Sequence, residues 1–380
     1  MFKRIESFKD LGKESCFLWG PRQTGKSTLL KNLFPNSPYY DLLLANEFRR
    51  LTGNPSLLRE ELLAMQLENV PVIIDEVQKV PALLDEIQWL MVNKKISFIL
   101  CGSSARKLKR TGANLLGGRA MRYELFPLVS KEIPDFDLLR ALNHGLLPRH
   151  YLAANPKKML EAYVSDYLKE EIAAEALTRN VPAFARFLEV AAFSNGEVVN
   201  YNNIAQECGI SAPTVKDYFQ ILFDTMLGFT VPSYRKNPKR RIVQAPKFYY
   251  FDLGMTNFLL KRGEITPGSE IFGRAFEHFI FQEILAHSHY SGKNYQISYW
   301  RTSSGLEVDF ILGEHEVALE VKGVPEVKPH HLKGSKAFCD EYKPKKSIIV
   351  SLDQRPRMSG EISILPVKDF LERLWKGEII

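Results

Sequence analysis

The sequence has little of several features that would place a protein in a class at once. Four cysteines stand far apart at Cys16, Cys101, Cys208 and Cys339. They form no C-x-x-C pair and have no histidine cluster beside them, so they read as reduced thiols of a cytoplasmic protein rather than as a disulfide framework or a zinc site. No apolar run is long enough to span a bilayer, which argues against a membrane partner. The opening Met1-Phe2-Lys3-Arg4-Ile5-Glu6 continues into charge, not into the apolar stretch of a signal peptide. A strong charge of one sign is also missing: 51 Lys plus Arg against 44 Asp plus Glu give a net charge of +7. That permits a nucleic-acid partner without requiring one. Nor is the composition that of a disordered chain, since 45% hydrophobic and 25% charged residues are globular values. The 380 residues exceed one ordinary core and predict about two or three domains.

What is present is organised around Gly20-Pro21-Arg22-Gln23-Thr24-Gly25-Lys26-Ser27-Thr28, which fits G-x-x-x-x-G-K-[ST] in full. Residues 15–19 before it read as a buried strand and residues 28–33 after it as a helix. That setting separates a phosphate-binding loop from a chance glycine turn. A triphosphate is anionic, and the loop offers it backbone N–H groups, a helix N-terminus and one ammonium, while glycines let the backbone come close. The motif assigns the loop to ATP, Lys26 to the β- and γ-phosphates and Ser27 to Mg²⁺.

Next, Val70-Pro71-Val72-Ile73-Ile74-Asp75-Glu76 is an apolar strand ending in two acids. Strand ends in such sheets face the nucleotide crevice, so Asp75 can hold the Mg²⁺ shell and Glu76 can polarise an attacking water. The alternative is an ordinary strand leaving the core at a charged turn. A further strand, residues 96–101, runs into Gly102-Ser103-Ser104. There Ser103 or Ser104 could meet the γ-phosphate or the water, or cap a helix starting near Ala105. The basic residues Arg106, Lys107, Lys109 and Arg110 make a solvated helix face or a contact surface. A glycine turn and closing strand then frame Arg119, which could stabilise charge on the γ-phosphate, in its own chain or on a neighbour in a homo-oligomer. A surface ion pair is the equal alternative for Arg119.

The Walker A loop, Asp75-Glu76, the serine-tipped strand and the ending Gly118-Arg119 to Pro127-Leu128 resemble the AAA+ ATPases of the archaeal and bacterial group with a winged-helix region and a nuclease-like C-terminal domain. The loop and acidic pair are shared by all AAA+ proteins. A second-sensor arginine is not identifiable.

In the middle of the chain, Leu160, Tyr163, Val164, Tyr167, Leu168, Ile172 and Leu177 predict a helix whose aromatic stripe is core. From Asn200 to Phe219 a short helix ends at Gly209, Ser211 can cap the next one and Pro213 sits in its first turn, the grammar of a helix-turn-helix. Thr214, Lys216 and Asp217 would face outward. The later Arg235, Lys236, Lys239, Arg240 and Arg241 precede the strand residues 247–252 and look like the basic wing of a winged helix. Such a wing could neutralise DNA phosphates while the second helix enters a groove, or could be merely solvated or dock on the ATPase domain.

In the last third, residues 272–285 predict an amphipathic helix, and strands follow at 296–301, 307–312 and 316–322. Alternation puts Glu320 and Lys322 on one face, and a turn near Gly313 brings Asp309 beside them. The constellation resembles the PD-(D/E)xK nuclease superfamily, with Glu277 matching its helical acid, Asp309 its first strand acid and Glu320-Val321-Lys322 its E-x-K. The resemblance implies that Asp309 and Glu320 bind Mg²⁺, that Lys322 orients the water or stabilises charge, and that Glu277 supports the metal shell. The alternative is a retained fold that binds nucleic acid without cutting it. His330 and His331 read as surface residues, for want of a third spaced partner.

The expected architecture is multidomain α/β: a P-loop AAA+ parallel-sheet domain (1–127), a helical lid and winged helix (128–268) and a restriction-endonuclease-like α/β domain (269–380). The expected function is ATP binding and hydrolysis coupled to action on DNA, with metal-dependent cleavage in the last domain. Its rivals are a nucleotide-switched binding regulator with a silent nuclease fold, and a remodeller of proteins.

Overall fold

The computed structural model describes the chain except residues 1, 6–10, 66, 68–69, 105–107, 109–115, 169–179 and 237–241, and gives no side chains for residues 166–168. Arg106, Lys107, Lys109, Arg110, Ile172, Leu177, Lys239, Arg240 and Arg241 therefore lie outside the described residues, as do Ala105 and the side chains of Tyr167 and Leu168. Two compact units result. One is Arg4–Pro127 with Ile221–Leu227, and the other is Met1–Lys3, Leu128–Gln220 and Gly228–Ile380.

The first unit runs β1 (Cys16–Trp19), α1 (Lys26–Leu33), β2 (Tyr39–Asp41), α2 (Ala45–Gly53), α3 (Ser56–Ala64), β3 (Val72–Asp75), α4 (Leu83–Lys94), β4 (Phe98–Gly102) and β5 (Met121–Glu124). Its strands form one sheet in the order β2-β3-β4-β1-β5, and every pairing is parallel. β1, β3 and β4 are buried at every residue, and the apolar runs that the sequence shows there are what a sheet covered on both faces demands. Trp19 lies opposite Gly102, and Asp75 opposite Cys101. The C-terminal ends of β1, β3 and β4 are thus level, with β4 in the middle.

The second unit begins with α5 (Leu138–His144), α6 (Pro148–Leu152), α7 (Pro156–Ala162), α8 (Val181–Phe193), α9 (Tyr201–Cys208) and α10 (Ala212–Asp224), whose residues from Ile221 on count with the first unit. Asn200 caps α9 by accepting from the backbone N–H groups of Asn202 and Asn203, and Gly209 ends it with φ 67°. Ser211 Oγ then accepts from Thr214 N at 3.3 Å to start α10. These are the helix-turn-helix signals of the sequence, and Phe219 of α10 meets Tyr201 of α9 edge to face at 5.6 Å and Phe187 of α8 at 4.9 Å.

An antiparallel pair follows, β6 (Gly228–Val231) with β7 (Lys247–Tyr250), and then α11 (Leu253–Leu259) and α12 (Glu270–Tyr290). Beyond them come β8 (Ile297–Arg301), β9 (Glu307–Leu312), β10 (Val317–Lys322), α13 (Lys333–Tyr342), β11 (Lys346–Ser351), β12 (Arg357–Ser359), β13 (Ile362–Pro366) and α14 (Val367–Trp375). The six strands β8 to β13 form a mixed sheet in the order β12-β13-β11-β10-β9-β8.

The basic hairpin, where it is described, lies along β8: Tyr234 N donates to Tyr299 O and Val243 N to Arg301 O. β8 is an edge strand, and its unpaired backbone groups accept this addition. One expectation changes: the helix at 272–285 is not one-sided. It lengthens to α12, whose Phe272, Phe276, Phe279 and Ile280 join a core with Phe310, Leu319 and Val350 of the sheet, while His278 and Glu283 on other faces are also buried. The second layer is the middle region, since Gln282 donates to Phe251 O and His278 Nε2 bonds Tyr250 O.

Candidate functional site

The loop after β1 is built by two local constraints. A Cβ on Gly20 would lie 2.4 Å from Leu125 O, so the chain can pass there only without a side chain. Gly25 holds φ 96° at the start of α1, a left-handed value that favours glycine. Thr24 Oγ1 donates to Pro21 O at 2.8 Å and tightens the turn. Lys26 is buried, and its ammonium donates to Gly20 O at 2.6 Å and Pro21 O at 3.0 Å. Of the remaining loop positions, Arg22 and Ser27 are partly exposed, and Gln23 and Thr28 are exposed.

Asp75 and Glu76 stand at the end of β3, both buried. Asp75 Oδ2 accepts from Ser27 Oγ at 2.6 Å and from the Tyr39 hydroxyl, and Oδ1 accepts from Glu76 N at 3.1 Å. Burial and the Asp75 charge push the Tyr39 phenol well up, so it stays a donor. Glu76 has φ 59° and ψ 42°, a left-handed conformation uncommon for a residue with a Cβ. Gln78 Nε2 donates to Glu76 Oε2 at 2.5 Å and to Ser103 Oγ at 3.2 Å, tying the tip of β3 to the tip of β4. The Gln78 amide fits because Gly102 has no side chain; a Cβ there would sit 2.3 Å from Gln78 Oε1. Ser104 is turned elsewhere, donating to Asp224 O at 3.0 Å.

The hydroxyl of Ser27 and the Asp75 carboxylate are a hard-oxygen pair that suits Mg²⁺ when water and phosphate complete its shell. Such a pair is smaller than a dedicated protein cage, and among the described residues no group of three His, Cys, Asp or Glu could hold a metal. Cys101 beside this cluster is buried, and burial lifts its thiol far above the usual range.

Arg119 is not brought here. Met121 pairs with Cys16, so Arg119 stands at the N-terminal edge of the sheet while the Gly20 loop leaves the C-terminal edge. The four residues of β1 lie between, roughly 13 Å at strand rise.

The second cluster lies between β7, α12, β9 and β10. Lys247 of β7 is buried and pairs with Glu277 at 3.1 Å, Glu307 at 2.6 Å and Asp309 at 4.0 Å. Tyr249 donates to Glu277 Oε1 at 2.6 Å. Asp309 Oδ2 accepts from Val321 N at 2.7 Å, beyond the ladder pair of Leu319 in β10 with Phe310 in β9. Glu320 accepts from Lys322 Nζ at 2.6 Å and Ser335 Oγ at 3.2 Å. Burial first and the Asp309 charge second raise the Glu320 carboxyl to about 8. The four residues named from the sequence do converge, but they do not fit the Mg²⁺ expected on Asp309 and Glu320. Both acids accept internal donors, and the Lys247 ammonium stands beside Asp309.

Sequence reasoning missed Tyr39, Gln78, Glu307 and Lys247. Gln78 and Glu307 had a signal, each two residues from a named acid. Tyr39 and Lys247 had none: pairing of β2 with β3 brings Tyr39 in, and packing of the separate β6–β7 pair brings in Lys247. On the helix-turn-helix, Lys216 and Asp217 are exposed and Thr214 is half-buried, and Lys216 Nζ lies 5.6 Å from the Tyr201 ring. Arg235 is exposed, and Lys236 pairs with Glu314 at 2.7 Å. No helix among the described residues is long and apolar enough to cross a membrane.

Residues 12–134 match the family model described as an AAA domain. Residues 135–266 and 272–370 match two domains of unknown function, DUF8612 and DUF4143. An uncharacterized protein of Methanocaldococcus jannaschii, MJ1544, is 24% identical over 336 residues, covering 80% of this chain and 73% of its own. Among solved structures, the Aeropyrum pernix Orc1 protein in complex with DNA matches 69% of this chain and 93% of its own at 12% identity with a TM-score of 0.27. A Pyrococcus horikoshii signal transduction ATPase with numerous domains, PH0952, matches 77% and 48% at 12% identity with a TM-score of 0.24. Those scores are too low to carry a shared fold across the whole chain, and the firm similarity is that of the N-terminal AAA domain.

Proposed function

We propose that this chain is an ATP-hydrolysing AAA+ protein that acts on DNA. One observation carries the reading: the Lys26 ammonium, the Ser27–Asp75 pair and the Glu76–Gln78–Ser103 chain meet at the C-terminal ends of three adjacent parallel strands. Lys26 exchanges the Gly20 and Pro21 carbonyls for β- and γ-phosphate oxygens. Ser27 and Asp75 would hold Mg²⁺, which would neutralise charge on the transferring phosphate. Glu76 orients the attacking water and takes its proton, while Gln78 and Ser103 keep the carboxylate aimed. Arg119 can serve only a neighbouring subunit, because its own site is at the other edge of the sheet.

The test is ATP turnover by the purified full chain. Lys26→Ala should abolish turnover with the fold intact, and unchanged turnover would remove the assignment.

The DNA partner is supported by the capped helix-turn-helix, its exposed Lys216, the exposed Arg235 and the net charge of +7. Binding should weaken linearly in log–log salt plots, and binding indifferent to salt would favour a protein partner. For the C-terminal domain, Lys247 among the acids favours the non-cleaving use over metal-dependent cleavage. A cleavage assay with Mg²⁺ or Mn²⁺, with and without ATP, comparing the native chain with Glu320→Ala, decides: cutting lost in the variant would reinstate the nuclease.

A further inference from the structure

We propose that Lys247 is the resident cation of the C-terminal carboxylate cluster, its ammonium standing where a divalent metal would have to sit among Glu277, Glu307 and Asp309. The inference rests on the non-cleaving reading of this domain and names what enforces it.

Three carboxylates surround one Nζ, at 2.6, 3.1 and 4.0 Å, and the lysine side chain is only 3% exposed. The ammonium has three N–H donors, and close carboxylate oxygens of Glu307 and Glu277 take up its charge. The ammonium itself lies over the Tyr299 ring, with Nζ 5.5 Å from the centroid, so the position is favoured from the side as well. β7 sets its depth, because Lys247 is laddered to Val231 of β6 and cannot slide without breaking that pair. Further donors reach the cluster: Tyr249 shares Glu277 Oε1 with Lys247, Arg301 lies 3.6 Å from Glu307 Oε2, Val321 N donates to Asp309 Oδ2, and Lys322 and Ser335 donate to Glu320. Mg²⁺ needs near-octahedral oxygen ligands and loses water reluctantly. A dication beside a buried ammonium would meet repulsion. The cluster therefore takes a divalent metal only if β7 withdraws Lys247.

The experiment uses the full chain and Mn²⁺ alone as the probe, with free ion read by electron paramagnetic resonance. The native chain and Asp309→Asn should retain equal Mn²⁺, because any ion held at the P-loop is common to both. Lys247→Met should retain one further equivalent, lost again when Asp309→Asn is added. One equivalent more on the native chain than on Asp309→Asn overturns the proposal, and so does a folded Lys247→Met that gains none.

Removing one partner of a buried ion pair can unfold a domain, so a second measurement needs no variant. Lysine acylation mapped by mass spectrometry should find Lys247 protected, and equally protected in excess Mn²⁺. Acylation of Lys247 induced by Mn²⁺ would show the metal displacing it and overturn the proposal. Mn²⁺ retained at the cluster without DNA cutting would remove the lysine assignment alone, whereas cutting lost in Glu320→Ala would remove the non-cleaving reading too.

Discussion

Gln78 is the residue whose position most changes how the P-loop site is understood. Its amide joins Glu76, the candidate base, to Ser103 on the neighbouring strand, and the left-handed backbone of Glu76 is held by that bond. Gln78→Ala should lower kcat for ATP by about 10-fold to 100-fold with KM little changed, because aim rather than phosphate binding is lost. Steady-state kinetics checks this, and an equal rise in KM would make Gln78 a binding residue instead. Gly20 belongs to the same scale. Gly20→Ala puts a methyl against Leu125 O at 2.4 Å, so the loop must shift. ATP affinity by equilibrium binding should fall at least tenfold, a loss of about 1.4 kcal/mol.

Among the elements, α12 and α9 make opposite demands. α12 is buried on most of its surface between the mixed sheet and the middle helices, so its stability lies in packing. Phe279 is 1% exposed and stacks on Phe136, and Phe279→Ala should cost about 3–5 kcal/mol by denaturant unfolding. A loss under about 1 kcal/mol would mean that the surrounding core collapses into the space. α9 is a short surface helix that depends on its cap. Asn200→Ala removes the acceptor for two backbone N–H groups and should cost about 1 kcal/mol. DNA affinity should fall with it if α10 is the reading helix, since α9 positions α10.

For the whole molecule, two buried acids of the second unit should make stability fall with rising pH, against buried histidines of the opposite sign. Burial raises Glu283 to about 7 against bonds from Ser130 and Trp375, and raises Asp252 to about 6 against backbone N–H donors. Unfolded, both titrate near 4. Between those values the folded chain binds more protons than the unfolded chain, so the contribution is full below about pH 4 and is lost as pH rises through 6 to 7. The buried His150, His278 and His287, held low by burial, act with the opposite sign but are common to the native chain and Glu283→Gln. Urea unfolding should therefore show the native midpoint falling relative to that of Glu283→Gln between pH 5 and pH 8, and a native midpoint that rises relative to the variant in this window would contradict the assignment.

By itself the sequence determined whatever is contiguous: the loop from Gly20 to Thr28, the apolar strands that must form a sheet covered on both faces, the caps at Asn200 and Ser211, and the alternation that puts Glu320 and Lys322 on one face. Each is a local pattern, set by chain geometry over a few residues. β12 and β13 escaped because a short edge hairpin has too few residues to show a period. The tertiary structure alone decided which strands are neighbours, and with that what stands beside each acid. Strand order placed Ser103 within reach of Gln78 and left Arg119 at the far edge. A strand 30 residues before Glu277 carried Lys247 into the cluster that the sequence had allotted to a metal. A carboxylate in sequence is only a charge, and whether it meets a metal, a water or an ammonium depends on what non-local pairing delivers to it.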